Sequence, residues 1–352
     1  MILKELSEAV GVSGDEAAVR QIILQHIDEH AEDIRIDAMG NITALKRAVK
    51  PGRRPHPRVL LAAHMDEVGF MVTGIDGDGS LRFTAIGGID DRILPALRVR
   101  VGEEGIPGVI LWTPIHKNRD QATRGISSLR IDIGASSKDE VAGKVKPGDR
   151  IAFDSAYMEL GSETLRGKAF DDRVGCSLLV DVLQGGPYPC DVLAAFTVQE
   201  EIGLRGAKVA AQTLKPDVAI ALEGTTANDI LNPTAEPDDP TVPNPTCRLG
   251  DGPVLTVMDA SLIVNPRLLG FLRAVADSHS IPTQLKTSPG GGTDAGAIHR
   301  AGAGVPSAVI SVPCRYIHSP AALLRRSDYA HTLALIQAVL RDLTMDVLDF
   351  DS

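Results

Sequence analysis

RVLLAAHMDEVGF, residues 58–70, decides how the rest of the chain is read. Its first half is apolar at every position rather than at alternate ones. A strand of that kind is covered on both faces, as in the middle of an α/β sheet. The run stops at His64, and soon afterwards the texture changes. From about residue 71 to 160 the pieces GFMVTGI, SLRFTAIGG, LRVRVG, PGVILW and DRIAFDSA are short, β-favouring and separated by glycine turns. They predict a small β-barrel or sandwich. DGDG at 76–79 reads as a hairpin turn, because the downstream ligands of a calcium loop are missing.

Beyond residue 165 the pattern alternates. DRVGCSLLVDVLQ is helical by period and DVLAAFTV is a strand; GLRGAKVAAQTL is a helix and PDVAIALE a strand. PRLLGFLRAVADSHS, PSAVISVP and the closing SDYAHTLALIQAVLRDLTMDV continue the series. The fold expected is therefore α/β, a mixed central sheet flanked by helices, formed by residues 1–70 plus 161–352. The small β-barrel, residues 71–160, is inserted between the strand near 60 and the helix near 172. Upstream, Ser13 and Glu16 fit a capping box ahead of Val19, Ile22, Ile23 and Ile27 at helical spacing. RIDAMGNITALKR reads as a hairpin turning at Gly40-Asn41, and PGRRPHP, residues 51–57, as an exposed turn. NPTAEPDDPTVPNPTCRLGDGP, residues 232–253, is a proline-rich loop too long for a simple connector.

Composition narrows the function. The chain has 352 residues, 43% of them hydrophobic, which is ample for a large core. A net charge of −10 argues against nucleic acid or an anionic membrane as partner. No apolar run has transmembrane length, and the opening MILKELSEAVGVSGDEAAVR lacks a signal-peptide core, so a cytoplasmic location is expected. Cys176, Cys190, Cys247 and Cys314 stand singly and make neither a disulfide framework nor a zinc knuckle.

The chemistry collects where the strands end. RVLLAA runs into His64 with Asp66 two places on; DVLAAFTV leads to Glu200 and Glu201; PDVAIAL gives Glu223; PSAVISVP leads to His318. In an open α/β sheet ligands gather outside the carboxyl ends of the strands. Asp171 and Asp172, in GKAFDDRVG, open a helix whose N-terminus favours negative charge. Singly, each has a plain alternative: a satisfied histidine, a solvated acidic loop, a helix cap. Five such residues at equivalent ends of elements point instead to a metal centre. Its imidazoles and carboxylates suit two divalent ions, zinc or cobalt, with manganese as a further candidate. Two such ions about 3.5–4 Å apart acidify a shared water and polarise a carbonyl. The assignment is His64, Asp171, Glu201, Glu223 and His318 as ligands, Glu200 as a free general base, and Asp66 as support for the second N–H of His64.

AAHMDEVGF, GKAFDDRVG, VQEEIGLRGA, ALEGTTAND, PGGGTDAGAIH and RYIHSP together resemble the M42 family of metallo-aminopeptidases, and LKELSEAVGVSGDE and GGIDDRILPALRVRV add to the likeness. The resemblance covers nearly the whole chain. It implies a two-metal peptidase that removes residues from peptides with a free N-terminus. It further implies dimers formed through the inserted domain and assembled as tetrahedral dodecamers. It makes Asp171 the bridging ligand, places a cis peptide at Asp171-Asp172, and sets Thr293, Asp294 and Arg315 at the border of the substrate pocket. Glu223 departs from the aspartate of many relatives, and SPAA follows His318 where an acidic residue is expected. Two rival functions keep the fold: metal-dependent deacylation of N-acyl amino acids, and a scaffold without turnover. A cellulase activity fits poorly with only 3% aromatic residues.

Overall fold

In the computed structural model, the described residues are 1–49, 56–112, 124–230, 247–288 and 290–349. Most of the loop 232–253, with Glu236, Asp238 and Asp239, and most of the turn 51–57 lie outside them.

The central sheet has eight strands. In spatial order they are Glu32–Ile36, Ile42–Lys46, Asp191–Thr197, Arg58–His64, Val218–Thr226, Ser307–Cys314, Val254–Thr256 and Gln284–Lys286. The four middle strands are mutually parallel, with His64 level with Thr197 and Glu223 level with Ser311. Ile42–Lys46 and the two short strands at the far edge run against them, while Glu32–Ile36, antiparallel to Ile42–Lys46, runs with them. The apolar run at 59–63 is continuous because both faces are covered. Val59, Leu61 and Ala63 enter the main core, while Leu60 and Ala62 pack against the helices Arg205–Leu214 and Ala295–Ile298 on the other side. The helix Phe170–Gln184 lies over the main face with almost every residue buried.

Between Gly69 and Phe153 six strands close a barrel in the order Gly69–Ile75, Leu81–Ile86, Arg130–Asp132, Ile106–Leu111, Arg98–Val101 and Arg150–Phe153. Phe70 is its packing centre, meeting Phe83 and Phe153 edge-on at 5.3 and 5.4 Å between ring centres. The turn at 76–80 is a hairpin, closed by the Asp76 amide donating to Ser80.

Three features differ from the sequence expectation. A short helix, Leu3–Glu8, precedes the first expected one. A three-stranded sheet, Met158–Leu160, Thr164–Gly167 and Ala322–Arg325, joins the chain after the barrel to the segment following His318. The capping box is not formed: the helix Ala17–Ile27 has no side-chain cap. The Ser13 hydroxyl and the Glu16 carboxylate are engaged elsewhere.

Candidate metal centre

The four parallel strands deliver their chemistry to one edge, as strand polarity requires. His64 is the last residue of its strand. Glu200 and Glu201 follow the strand ending at Thr197, through a turn in which Gln199 has φ 56°. Glu223 sits within its strand, which runs three residues further to Thr226. His318 lies beyond Cys314, itself at φ 58°. Asp171 and Asp172 occupy the irregular start of the helix Phe170–Gln184, where neither has helical dihedrals, and the peptide between them is cis.

Asp171 stands between the histidines. Its Oδ1 lies 3.2 Å from His64 Nε2 and its Oδ2 3.3 Å from His318 Nε2. Each imidazole faces a second carboxylate: Glu223 Oε2 at 3.7 Å from His64 Nε2, and Glu201 Oε1 at 3.3 Å from His318 Nε2. Glu200 Oε2 is 3.9 Å from His64 Nε2, the longest of these separations. Two sets of donor atoms, His64–Glu200–Glu223 and His64–Asp171–Glu201, are compact enough to hold an ion, all lying within 4.8 Å of one another. Glu200 therefore stands among the possible ligands as well as beside them.

The supporting contacts are specific. His64 Nδ1 donates to the Asp66 carbonyl oxygen at 3.1 Å, with the Asp66 carboxylate at 3.5 Å. The backbone carbonyl is thus the nearer acceptor for the second N–H of His64. The Asp66 carboxylate accepts from the backbone amides of Glu200 (3.0 Å) and Glu201 (3.2 Å). Asp172 accepts from the His64 amide at 3.0 Å and the Gly175 amide at 2.9 Å. Gly175 has no room for a side chain, since a Cβ there would meet Asp172 Oδ1 at 2.4 Å. His318 Nδ1 donates to the carbonyl of Gly88 at 2.7 Å, so the loop between the barrel strands Leu81–Ile86 and Arg98–Val101 orients a histidine of the cluster.

Electrostatics show what the site lacks. Burial, reinforced by neighbouring carboxylates, pushes Glu200, Glu223 and Asp172 well above the usual carboxylate range, and Glu201 above it as well. Burial works against the His64 imidazolium, yet the carboxylates around it, Glu200 foremost, raise its pKa well above normal. Burial also opposes charge on His318, but bonds to Asp171 and Glu201 raise it to about 11. Asp171, bonded to both rings, is held below the usual range against its own burial. Glu201 Oε1 and Glu223 Oε1 are buried with no aligned hydrogen-bond donor. Carboxylates and imidazoles packed this densely could hold cations from outside the chain, and a mixed imidazole–carboxylate set suits a first-row divalent metal.

The site opens into a cleft of about 730 Å³ lined by His64, Asp171, Glu200, Glu201, Glu223 and His318. Thr225, Thr226, Thr256, Lys286, Ser288 and Ser311 line the same cleft. Of the three pocket residues expected from sequence, Thr293 lines the cleft. Asp294 is buried behind it, accepting from the Thr197 hydroxyl, and burial raises its carboxyl to about 6. Arg315 does not line the cleft; it grips Asp229 with two bonds, of 2.6 and 2.8 Å. Sequence reasoning missed Lys286 and the row of hydroxyls, which have no local motif, and Gly88, which acts through its carbonyl.

The sequence model of the family described as M42 glutamyl aminopeptidase matches residues 40–335. The chain belongs to the M42 peptidase family. It is 37% identical to a putative aminopeptidase of Acetivibrio thermocellus, the match covering 95% of this chain and 96% of that one. It is 34% identical to a lysyl aminopeptidase of Pyrococcus furiosus, covering 97% and 96%. Among solved structures, a TET aminopeptidase from a Thaumarchaeota archaeon superposes with a TM-score of 0.91 at 35% identity, covering 100% of this chain and 99% of that one. The TET1 peptidase of Pyrococcus horikoshii, described as assembling into a tetrahedron or a large octahedral shell, gives 0.83 at 33% identity, covering 97% and 98%. This M42 chain is a peptide hydrolase of the aminopeptidase class.

Proposed function

We propose that this M42 enzyme removes single residues from peptides with a free N-terminus, using two divalent ions, zinc or cobalt, with manganese as a further candidate. The observation that carries the reading is Asp171, whose two oxygens reach toward His64 and His318 from one carboxylate. His64 and Glu223 would hold one ion, His318 and Glu201 the other, with Asp171 bridging. When bound, the ions supply positive charge that acidifies water and polarises the scissile carbonyl.

The remaining work falls to the chain's own groups. Glu200 is the residue of the set placed to move a proton: among the carboxylate oxygens paired with His64 Nε2 its Oε2 is the farthest, at 3.9 Å, and burial raises the proton affinity of its carboxylate. In this role it takes a proton from water at its carboxylate and returns it to the leaving amine. Asp66 holds the Glu200–Glu201 turn through two backbone amides and keeps His64 oriented. The carboxylates lining the cleft offer partners to a protonated α-amino group. Lys286, the one lysine or arginine lining that cleft among the described residues, donates to the Thr225 hydroxyl at 3.0 Å and faces no carboxylate there. We assign it to an acidic N-terminal side chain.

Residues 71–160 would form the dimerisation domain, set against a catalytic domain of residues 1–70 plus 161–352, and copies would assemble further as in the TET1 relative. No described helix is long and apolar enough to cross a membrane, and all four cysteines are buried thiols outside any disulfide, which suits a cytoplasmic protein. The test is hydrolysis of aminoacyl anilides with zinc or cobalt, against the same compounds N-acetylated. Cleavage of the acetylated compounds alone would replace the peptidase with a deacylase.

A further inference from the structure

Ser13 and Glu16 have the spacing of a helix cap but do not serve as one. The helix Ala17–Ile27 has no side-chain cap. The Ser13 hydroxyl instead donates to Asp66 Oδ2 at 2.6 Å, both residues being almost wholly buried. That same oxygen accepts from the Glu201 amide, while Oδ1 accepts from the Glu200 amide. Glu16 is buried too, with Oε1 accepting from the Gly14 amide at 2.6 Å and its carboxylate beside Asp66 and the backbone of Gln199. The segment is pinned from both sides. A β-bridge joins Val12 to Glu67, and Arg150 of the barrel donates to the Ser13 carbonyl at 3.2 Å.

We propose that Ser13, with Glu16 beside it, is a positioning residue for the Glu200–Glu201 turn, acting through Asp66. The physical reason is the acceptor count of Asp66. A buried carboxylate is held in one orientation by the donors that fill its two oxygens. Ser13 supplies the one side-chain hydroxyl, and the remaining donors are the two turn amides and His64. Without the hydroxyl, Asp66 Oδ2 is free to rotate away from the Glu201 amide. The general base and a neighbouring ligand then lose a common anchor. The inference rests on the proposed role of Glu200 and Glu201, and it ties the N-terminal segment to the catalytic edge.

The decisive comparison uses three substitutions in the full-length protein. Aspartate caps a helix as well as serine does, so a capping role would leave Ser13→Asp close to wild type and make Ser13→Ala melt a few degrees lower with kcat unchanged. A donor to Asp66 behaves differently, because a carboxylate cannot donate to a carboxylate. The expected result is a kcat lower by about tenfold or more for Ser13→Ala with KM nearly unchanged, a larger loss for Ser13→Asp, and rescue by Ser13→Thr. Zinc affinity of the metal-stripped protein, measured by competition with a chromophoric chelator, should weaken in the same order. Wild-type kcat and zinc affinity in Ser13→Asp would overturn the inference. A wild-type protein that binds zinc but cleaves no aminoacyl anilide would sink the peptidase reading, leaving the zinc series to decide the role of Ser13. A wild type that binds no zinc overturns both.

Discussion

Two short segments, His64–Glu67 and Lys168–Arg173, build two buried charge clusters that solve opposite problems. Glu67, Lys168 and Arg173 form the first. Lys168 Nζ lies 2.6 and 2.8 Å from the two Glu67 oxygens, and Arg173 reaches Glu67 Oε1 at 3.3 Å. Lys168 Nζ and the two terminal nitrogens of Arg173 also donate to backbone carbonyls of the N-terminal segment, including Ala9 at 2.7 Å from Lys168, and Arg173 Nε is left without a hydrogen-bond partner. His64, Asp66, Asp171 and Asp172 from the same segments belong to the second cluster, where they meet Glu200, Glu201 and Glu223. There the acids outnumber the imidazoles, and two carboxylate oxygens face no aligned donor. A chain that neutralises Glu67 with its own lysine and arginine leaves its neighbours short of positive charge. The contrast marks the second cluster as the candidate site for ions from outside, since titratable groups with shifted pKa values gather at functional sites.

The largest expected effect breaks the second cluster at its proton carrier. Glu200→Gln should lower kcat by about 10²–10⁴-fold while zinc or cobalt content, measured on the same sample, stays at the wild-type level. Full activity with bound metal in that variant would remove Glu200 from the mechanism. The opposite sign of the two clusters comes next. Glu67→Gln strands two buried cations and should cost about 3–5 kcal/mol in urea unfolding. Glu223→Gln in the metal-free protein removes an excess carboxylate and should raise stability, while weakening zinc binding. Equal destabilisation by the two changes would show that the clusters are balanced alike.

Much of this was legible in the sequence, for a definite reason. Strand polarity carries His64, Glu201 and Glu223 to one edge once RVLLAAH, DVLAAFTV and PDVAIAL are read as parallel strands, and all three pair as parallel neighbours. The barrel was visible because its strands are short and turn at glycines. Residues acting through side chains at distant positions were less legible. Ser13 and Glu16 satisfy a local motif, and nothing local reveals that the partner of the Ser13 hydroxyl, Asp66, lies 53 residues away. Arg315 sits next to a ligand motif but turns toward Asp229, so proximity in sequence misplaced it. Lys286 ends a three-residue edge strand, too short to show a period.

Lys286 sharpens the comparison from within the same cleft, where it is the one lysine or arginine among the described lining residues. If it receives the substrate's side chain, glutamyl anilide should be preferred to leucyl and lysyl anilides. Lys286→Met should then lower kcat/KM for the glutamyl compound by about tenfold, the scale of one charge-assisted bond, and leave the leucyl compound within about twofold. Lys286→Glu should turn the preference toward lysyl anilide. A uniform loss across all three compounds would assign Lys286 to the fold of the cleft instead.

The smallest effect is a reversal of the ordinary response to acid. In the metal-free protein Glu200 and Glu223 have raised pKa values, Asp294 is raised to about 6, and His318 is raised to about 11. All these groups bind more protons folded than unfolded between their unfolded and folded values. Stability linked to them is fully present below the unfolded value and is lost as pH rises through the folded one. Asp66 and Asp171, held low, act in the other direction, but only at and below the usual carboxylate range. Metal-free protein should therefore grow more stable by urea unfolding as pH falls from about 8 to about 5. Saturating zinc should flatten or invert the trend, because the ions favour the same carboxylates ionised and the same imidazoles neutral. The Glu67 cluster supplies the control: the slope should survive Glu67→Gln and shrink in Glu223→Gln. A slope that is unchanged by zinc would mean that the acid-rich edge keeps its protons for reasons unrelated to a metal.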